Sequence, residues 1–234
     1  NYPVGCCLQG DDPINAKVSA AYDCGQHHSM TGKPCQDRAA GFVRGALAGV
    51  VLCDGAGSCA HSERAAQRLM EWIPDYLQIT FDTLCALPPE ECYCTLLFYA
   101  AHADGRWLCG HIGDGYIFRI RQDTAVVFSA PENGHAINET YFLSEPGAAQ
   151  HLRIRSGELH EPYAVLLTSD GGGDTLFDRQ QQQPAPAVER LCDWLTENDE
   201  KTVTEALAHV IKEKMIPATE DDVSVAILYC SEDE

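Results

Sequence analysis

The sequence predicts an α+β protein of packed antiparallel β-sheets covered by helices, and three observations carry that prediction. β-like stretches follow one another through the first and middle thirds, helical periodicity is confined to three places, and the two do not alternate as in a doubly wound parallel sheet. The candidate strands are Lys17–Cys24, Ala46–Cys53, Thr95–His102, Trp107–Gly113, Tyr116–Arg121, Ala125–Phe128, Leu152–Arg155, Ala164–Thr168 and Val223–Tyr229. They are rich in Val, Ile, Leu, Tyr and Phe, which suit a pleated, half-buried surface, and Gly, Asp or Pro punctuate them. Asp104-Gly105, between two such runs, is a hairpin signal. Among the helices, Ala65, Leu69, Trp72 and Ile73 share one face, and Pro74 should end or kink that helix. Val188, Leu191, Cys192 and Leu195 form a second stripe. Val203, Leu207, Val210 and Ile211 form a third, opened by a capping box at Thr202-x-x-Glu205. All three stripes read as core faces. Gln180–Gln183, flanked by Pro184 and Pro186, reads as an exposed loop. With no linker or internal repeat, residues 1–234 are expected to form one domain.

Charge narrows the partners. Lys and Arg number 16 against 35 acids, a formal net charge of −19. A field of that sign repels nucleic acid and anionic lipid, so neither is expected as a partner. It would also repel a phosphorylated substrate unless bound cations neutralise some of the acids. No apolar run approaches the ~20 residues of a membrane helix, and residues 1–10 show no basic segment leading into an apolar one. The 12 cysteines include no C-x-x-C pair, and Cys53, Cys109 and Cys230 sit inside strand-like stretches. They are expected to be mostly reduced, buried small hydrophobes in a cytoplasmic protein. A zinc set of Cys24, His27, His28 and Cys35 matches no common ligand spacing.

The informative feature is where aspartates fall relative to strands. Asp54 directly follows the apolar run ending at Cys53, Asp114 follows the one ending at Gly113, and Asp170 follows Thr168-Ser169. Asp221 and Asp222 directly precede Val223, and Asp37 precedes the segment leading into the second candidate strand. Any one of these is an ordinary turn. Together, if the strands lie in facing sheets, they would gather carboxylates at one rim, where mutual repulsion demands a cation. Oxygen-only clusters favour Mg²⁺ or Mn²⁺ over zinc or copper.

In order, the chain carries Gly32-Lys33-Pro34-Cys35-Gln36-Asp37, Asp54-Gly55-Ala56-Gly57-Ser58, Gly113-Asp114-Gly115, Asn138-Glu139-Thr140-Tyr141-Phe142, Ser169-Asp170-Gly171-Gly172-Gly173-Asp174 and Asp221-Asp222-Val223-Ser224-Val225. This series, over about residues 25–228, resembles the metal-dependent protein phosphatases, the type 2C serine/threonine family, and most of all its bacterial branch with Gln-Asp in the first motif. The resemblance implies a four-layer α-β-β-α sandwich. It implies that Asp54 bridges two metals with the Gly55 carbonyl on one of them, and that Asp170 and Asp221 hold the other metal. Asp37 would act on this cluster directly or through water, and Asp114 would serve a weaker third metal shared with Asp170. Asp174 matches a further family acid. It also implies a phosphorylated protein substrate and, by extension, a cognate serine/threonine kinase.

The chain departs from the family in four places. Gln36 stands where glutamate is common. The phosphate-gripping arginine near the first motif is absent, with Lys33 the nearest cation and the expected substrate-binding residue. Ala56 replaces the histidine of the animal motif, leaving no leaving-group acid to carry over. Asp170-Gly171-Gly172-Gly173-Asp174 replaces Asp-Gly-Leu-Trp-Asp.

The expected function is metal-dependent hydrolysis of phosphoserine and phosphothreonine by a hydroxide held between two metals, with Asp37 and Asp54 central to the chemistry. No Cys is followed six residues later by Arg, which excludes the cysteine-phosphatase route. The departures motivate an alternative, a weak or inactive scaffold that binds a phosphorylated partner. A third reading, a dinucleotide fingerprint at Gly55-x-Gly57-x-x-Ala60, would place Asp54 against a pyrophosphate and lacks a following βαβ unit. His27-His28 could orient substrate, His61 could lie near the metals, and Asn138-Glu139-Thr140 reads as a structural or flap segment.

Overall fold

The computed structural model of the chain describes residues 13–44, 47–76, 93–132, 140–143, 145 and 147–231. The first of two five-stranded sheets has the order β1 (Ala16–Asp23), β12 (Val223–Cys230), β9 (Tyr163–Thr168), β6 (Tyr116–Arg121) and β7 (Thr124–Ser129). The second has the order β2 (Arg38–Arg44), β3 (Leu47–Cys53), β4 (Leu96–His102), β5 (Arg106–Ile112) and β8 (Arg153–Glu158). Every pairing in both sheets is antiparallel. β3 is therefore antiparallel to both of its neighbours, so the glycines after it do not open a parallel βαβ unit.

Side-chain alternation explains the layering. On β9, Val165 and Leu167 face a core between the sheets, where they meet Val50 and Leu52 of β3, Leu97 and Tyr99 of β4, and Leu228 of β12. The opposite faces bury against helices. Ala164, Leu166, Val225 and Ile227 pack under α4 (Ala187–Glu197) and α5 (Glu200–Val210), through Val188, Leu191, Leu195, Val203 and Leu207. Val51, Cys53, Leu96 and Phe98 pack under α2 (Ser62–Tyr76) through Ala65, Ala66 and Leu69. The result is the four-layer α-β-β-α sandwich, with central strands buried on both faces. Leu167 is fully buried where the sheets meet. Leu167→Ala should cost about 2–5 kcal/mol. The signature would be a lower urea midpoint with unchanged slope, and an unmoved midpoint would mean that this layer is not the packed centre.

Several sequence expectations shift. β2 and two short helices, α1 (Gln26–Thr31) and α3 (Asp170–Leu176), are not legible from periodicity. The third long helix is capped by Asp199, whose side chain accepts from the Thr202 N–H, so it starts before the expected capping box. α2 runs two residues beyond Pro74, to Tyr76; the side chains of Trp72 and Ile73 lie outside the described ones. Asp104-Gly105 does turn β4 into β5, with Gly105 at φ +86°. The Gln180–Gln183 loop is exposed and joins two-residue strands β10 (Phe177–Asp178) and β11 (Gln183–Pro184). Among the described residues no two cysteines form a disulfide; Cys53, Cys94, Cys109, Cys192 and Cys230 are buried.

Candidate metal centre

Strand ends deliver the aspartates to one rim. Asp54 follows β3, Asp114 lies in the turn between β5 and β6, Asp170 opens α3 after β9, and Asp221 lies just before β12. These four, with Gly55, line one cleft of about 1100 Å³. Carboxylate oxygens of Asp54, Asp114 and Asp170 lie within 4.8 Å of one another. Asp37 sits immediately before β2 and is 1% exposed, so it is not on the open cleft wall.

The backbone around each acid is pinned. Thr95 clamps Asp54, its Oγ1 accepting from the Asp54 N–H at 3.0 Å and its own N–H donating to the Asp54 carbonyl at 2.7 Å. Gly55 bridges to Cys94 through the flanking Asp54 carbonyl and Ala56 N–H, and a Cβ on Gly55 would press on Ser62 at 2.9 Å. Gly171 is required because a Cβ there would stand 2.3 Å from the Asp222 carbonyl oxygen; without one, the start of α3 lies against the Asp221-Asp222 backbone. Gln36 is buried and donates to Ser62 Oγ at 2.6 Å, holding the loop from Asp54 to α2. Thr140 donates to Asp114; Asn138 and Glu139 lie outside the described residues.

Electrostatics identify what the cluster lacks. Burial, then the Asp37, Asp170, Asp114 and Asp221 charges, push the Asp54 carboxyl well above the usual carboxylate range. Burial, then Asp222 and Asp170, does the same to Asp37. Neither oxygen of Asp37 has a hydrogen-bond partner, although the Ser169 and Ser224 hydroxyls are near enough to ease its ionisation. Asp170 is pushed up to about 7 by burial, then by Asp221 and Asp114. Asp221 is raised, first by burial. Acid groups crowded this way, with unpartnered buried oxygens, fit a hard divalent cation as the missing partner.

The rest of the cleft joins residues the sequence marked to one that it did not, Arg179. Lys33 is exposed on its lip and donates from Nζ to the Gly57 carbonyl at 3.2 Å. Arg179, unmarked by any motif, also lines it and pairs with Asp174 at 2.7 Å. Asp174 accepts from Thr219 as well. The two adjacent histidines both line the cleft but differ in surroundings: His27 is exposed, while His28 binds Asp222. Cys24 joins His28 and Asp222 in a second close group, which leaves out His27 and Cys35 of the zinc set that the sequence spacing already disfavoured. His61 is not among the residues lining the cleft.

A four-layer sandwich with an oxygen-only cluster at the rim of its central strands is suited to hydrolysis assisted by hard divalent cations. The protein phosphatase 2C family model matches residues 24–84 and 80–212, and the chain belongs to that family, the metal-dependent serine/threonine protein phosphatases. Among solved structures, RsbX in complex with magnesium is similar at a TM-score of 0.61 and 10% identity, covering 95% of this chain and 99% of that one. The Mycobacterium tuberculosis serine/threonine phosphatase PstP/Ppp gives 0.64 and 15% over 93% and 99%. The S. agalactiae serine/threonine phosphatase gives 0.60 and 16% over 92% and 100%. At these identities the likeness is one of fold. A search of the curated proteins found no match to the sequence. Among the described residues, no helix is long and apolar enough to cross a membrane.

Proposed function

We propose that Asp37, Asp54, Asp114, Asp170 and Asp221, with the Gly55 carbonyl, hold two Mg²⁺ or Mn²⁺ ions, and more weakly a third, where phosphoserine and phosphothreonine side chains are hydrolysed. The observation that carries this reading is the close approach of the Asp54, Asp114 and Asp170 oxygens, backed by the buried, unpartnered carboxylate of Asp37. Bound there, such cations supply an ionised water at neutral pH and offset charge on the phosphoryl oxygens. The chain's own residues do the positioning. Asp54, clamped by Thr95, would be the ligand common to both metals, Asp170 and Asp221 would help to hold one of them, Asp37 would back the cluster, and Asp114 would hold the weaker third. Lys33 offers the phosphate a cation from the lip. Residues 25–228 act as one unit, the substrate is a phosphorylated protein, and a serine/threonine kinase makes that substrate. The scaffold alternative is not favoured, because each proposed ligand side chain on the open wall faces the same cleft.

Phosphate release from a phosphothreonine peptide and from p-nitrophenyl phosphate, with Mn²⁺, with Mg²⁺ and with chelator, tests this. Turnover should require the metal. Metal binding without turnover on any phosphoprotein would restore the scaffold, and no metal binding would end the reading of the cluster.

A further inference from the structure

We infer that His28 is the proton donor to the departing serine or threonine oxygen, a role that rests on the phosphatase reading of the cleft. Its Nδ1 lies 3.0 Å from Asp222 Oδ2. Asp222 is 2% exposed, and its carboxylate also accepts the backbone N–H groups of Gly25 at 2.5 Å and Gln36 at 2.9 Å. That carboxylate is thereby fixed in place by three segments, the approach to α1, the first motif and the start of β12. As an acceptor it requires a hydrogen on Nδ1, which leaves Nε2 as the ring nitrogen able to exchange a proton with a substrate. Nε2 is 3.8 Å from where a Cβ on Gly57 would stand, in the loop that follows Asp54, and His28 and Gly57 both line the cleft. Of the other cations there, Lys33 is engaged with the Gly57 carbonyl and Arg179 with Asp174. His28 is the cleft donor held by a buried carboxylate.

The step balances without any further reagent. Water attacks phosphorus, forms the new P–O bond and releases a proton to solvent. The bond to the substrate side chain breaks with its electron pair on the departing oxygen, which takes the Nε2 proton and leaves as an alcohol. His28 then regains a proton from solvent. A serine or threonine alkoxide needs this help, whereas p-nitrophenolate leaves well without it.

The test is a comparison of leaving groups. Wild type, His28→Ala, Asp222→Asn and His209→Ala would be assayed with saturating Mn²⁺ on a phosphothreonine peptide and on aryl phosphates from p-nitrophenyl to phenyl. For His28→Ala, kcat on the peptide should fall about 10²-fold or more while p-nitrophenyl phosphate stays within about threefold, so dependence on leaving-group acidity steepens. Asp222→Asn should show the same selective pattern more weakly, and His209→Ala, on the exposed face of α5 away from the cleft, none. Should His28→Ala melt below the assay temperature, His28→Asn, whose amide stands where Nδ1 does and can still donate to Asp222, carries the comparison. Equal loss on all substrates would assign His28 to holding the site, alone or with Cys24 and Asp222 as a metal ligand, and would overturn the proposal. Undiminished peptide turnover would also overturn it. A wild type silent on every substrate would instead sink the phosphatase reading, and the proposal with it.

Discussion

Asp54→Asn is expected to lose about 10³-fold or more of metal-dependent turnover and yet to melt higher than wild type when no metal is present. Both effects follow from one arrangement. Asp54 sits where burial and the charges of Asp37, Asp170, Asp114 and Asp221 all oppose its ionisation. Asparagine keeps the shape and has no carboxyl to ionise, so the metal-free protein sheds the cost of burying an acid among like-charged neighbours. Relief of about 1 kcal/mol would raise the melting temperature by about 2–4 °C for a chain of this size. Most substitutions at a packed position do the opposite, and a gain in stability bought with activity marks a site arranged for chemistry. Thermal melts in chelator beside phosphate-release assays read both quantities. If stability falls along with activity, Asp54 is a packing residue; if activity survives, the cations are held without it.

How much of this was legible depends on what each signal encodes. The central strands show in the sequence because burial on both faces demands near-continuous apolar runs, as in Tyr163–Thr168 and Val223–Cys230. β2 reads Arg-Ala-Ala-Gly-Phe-Val-Arg and has few of the residues that favour strands; pairing along β3 makes it one. Asp54, Asp114, Asp170 and Asp221 were recognisable because a strand end fixes where the next residue points. Neighbouring like residues were not separable in this way. Asp221 faces the cleft and Asp222 turns inward to Gly25, Gln36 and His28, while His27 is exposed and His28 is not. Only the local path of the backbone decides such pairs. Arg179 had no signal at all, since its place in the cleft depends on how the loop after α3 folds back to Asp174.

Metal-free protein should lose stability as pH rises from about 4 to about 7, and saturating Mg²⁺ or Mn²⁺ should cancel that loss. An unfolded aspartate titrates near ~3.9, whereas in the fold Asp170 is pushed up to about 7 by burial and then by Asp221 and Asp114. The folded chain therefore holds this proton more tightly than the unfolded chain. The associated stability is fully present below the unfolded value and is lost as pH climbs through the folded one. Asp37, Asp54 and Asp221, all raised, add terms of the same sign. The exposed Asp104 and Asp199, held low by hydrogen bonds from Arg106 and Thr202, contribute the opposite sign only at the acid edge. A divalent cation needs these carboxylates ionised and competes with their protons, so its benefit grows across the window in which the metal-free protein weakens. At about 100-fold excess over its dissociation constant a bound ion contributes about 2.7 kcal/mol, which is about 5–10 °C in melting temperature here. Melts from pH 4.5 to 8, in chelator and in Mn²⁺, should therefore diverge with rising pH. Parallel curves would mean that the aspartates repel one another too little to need a cation, and that the cluster binds none in this range.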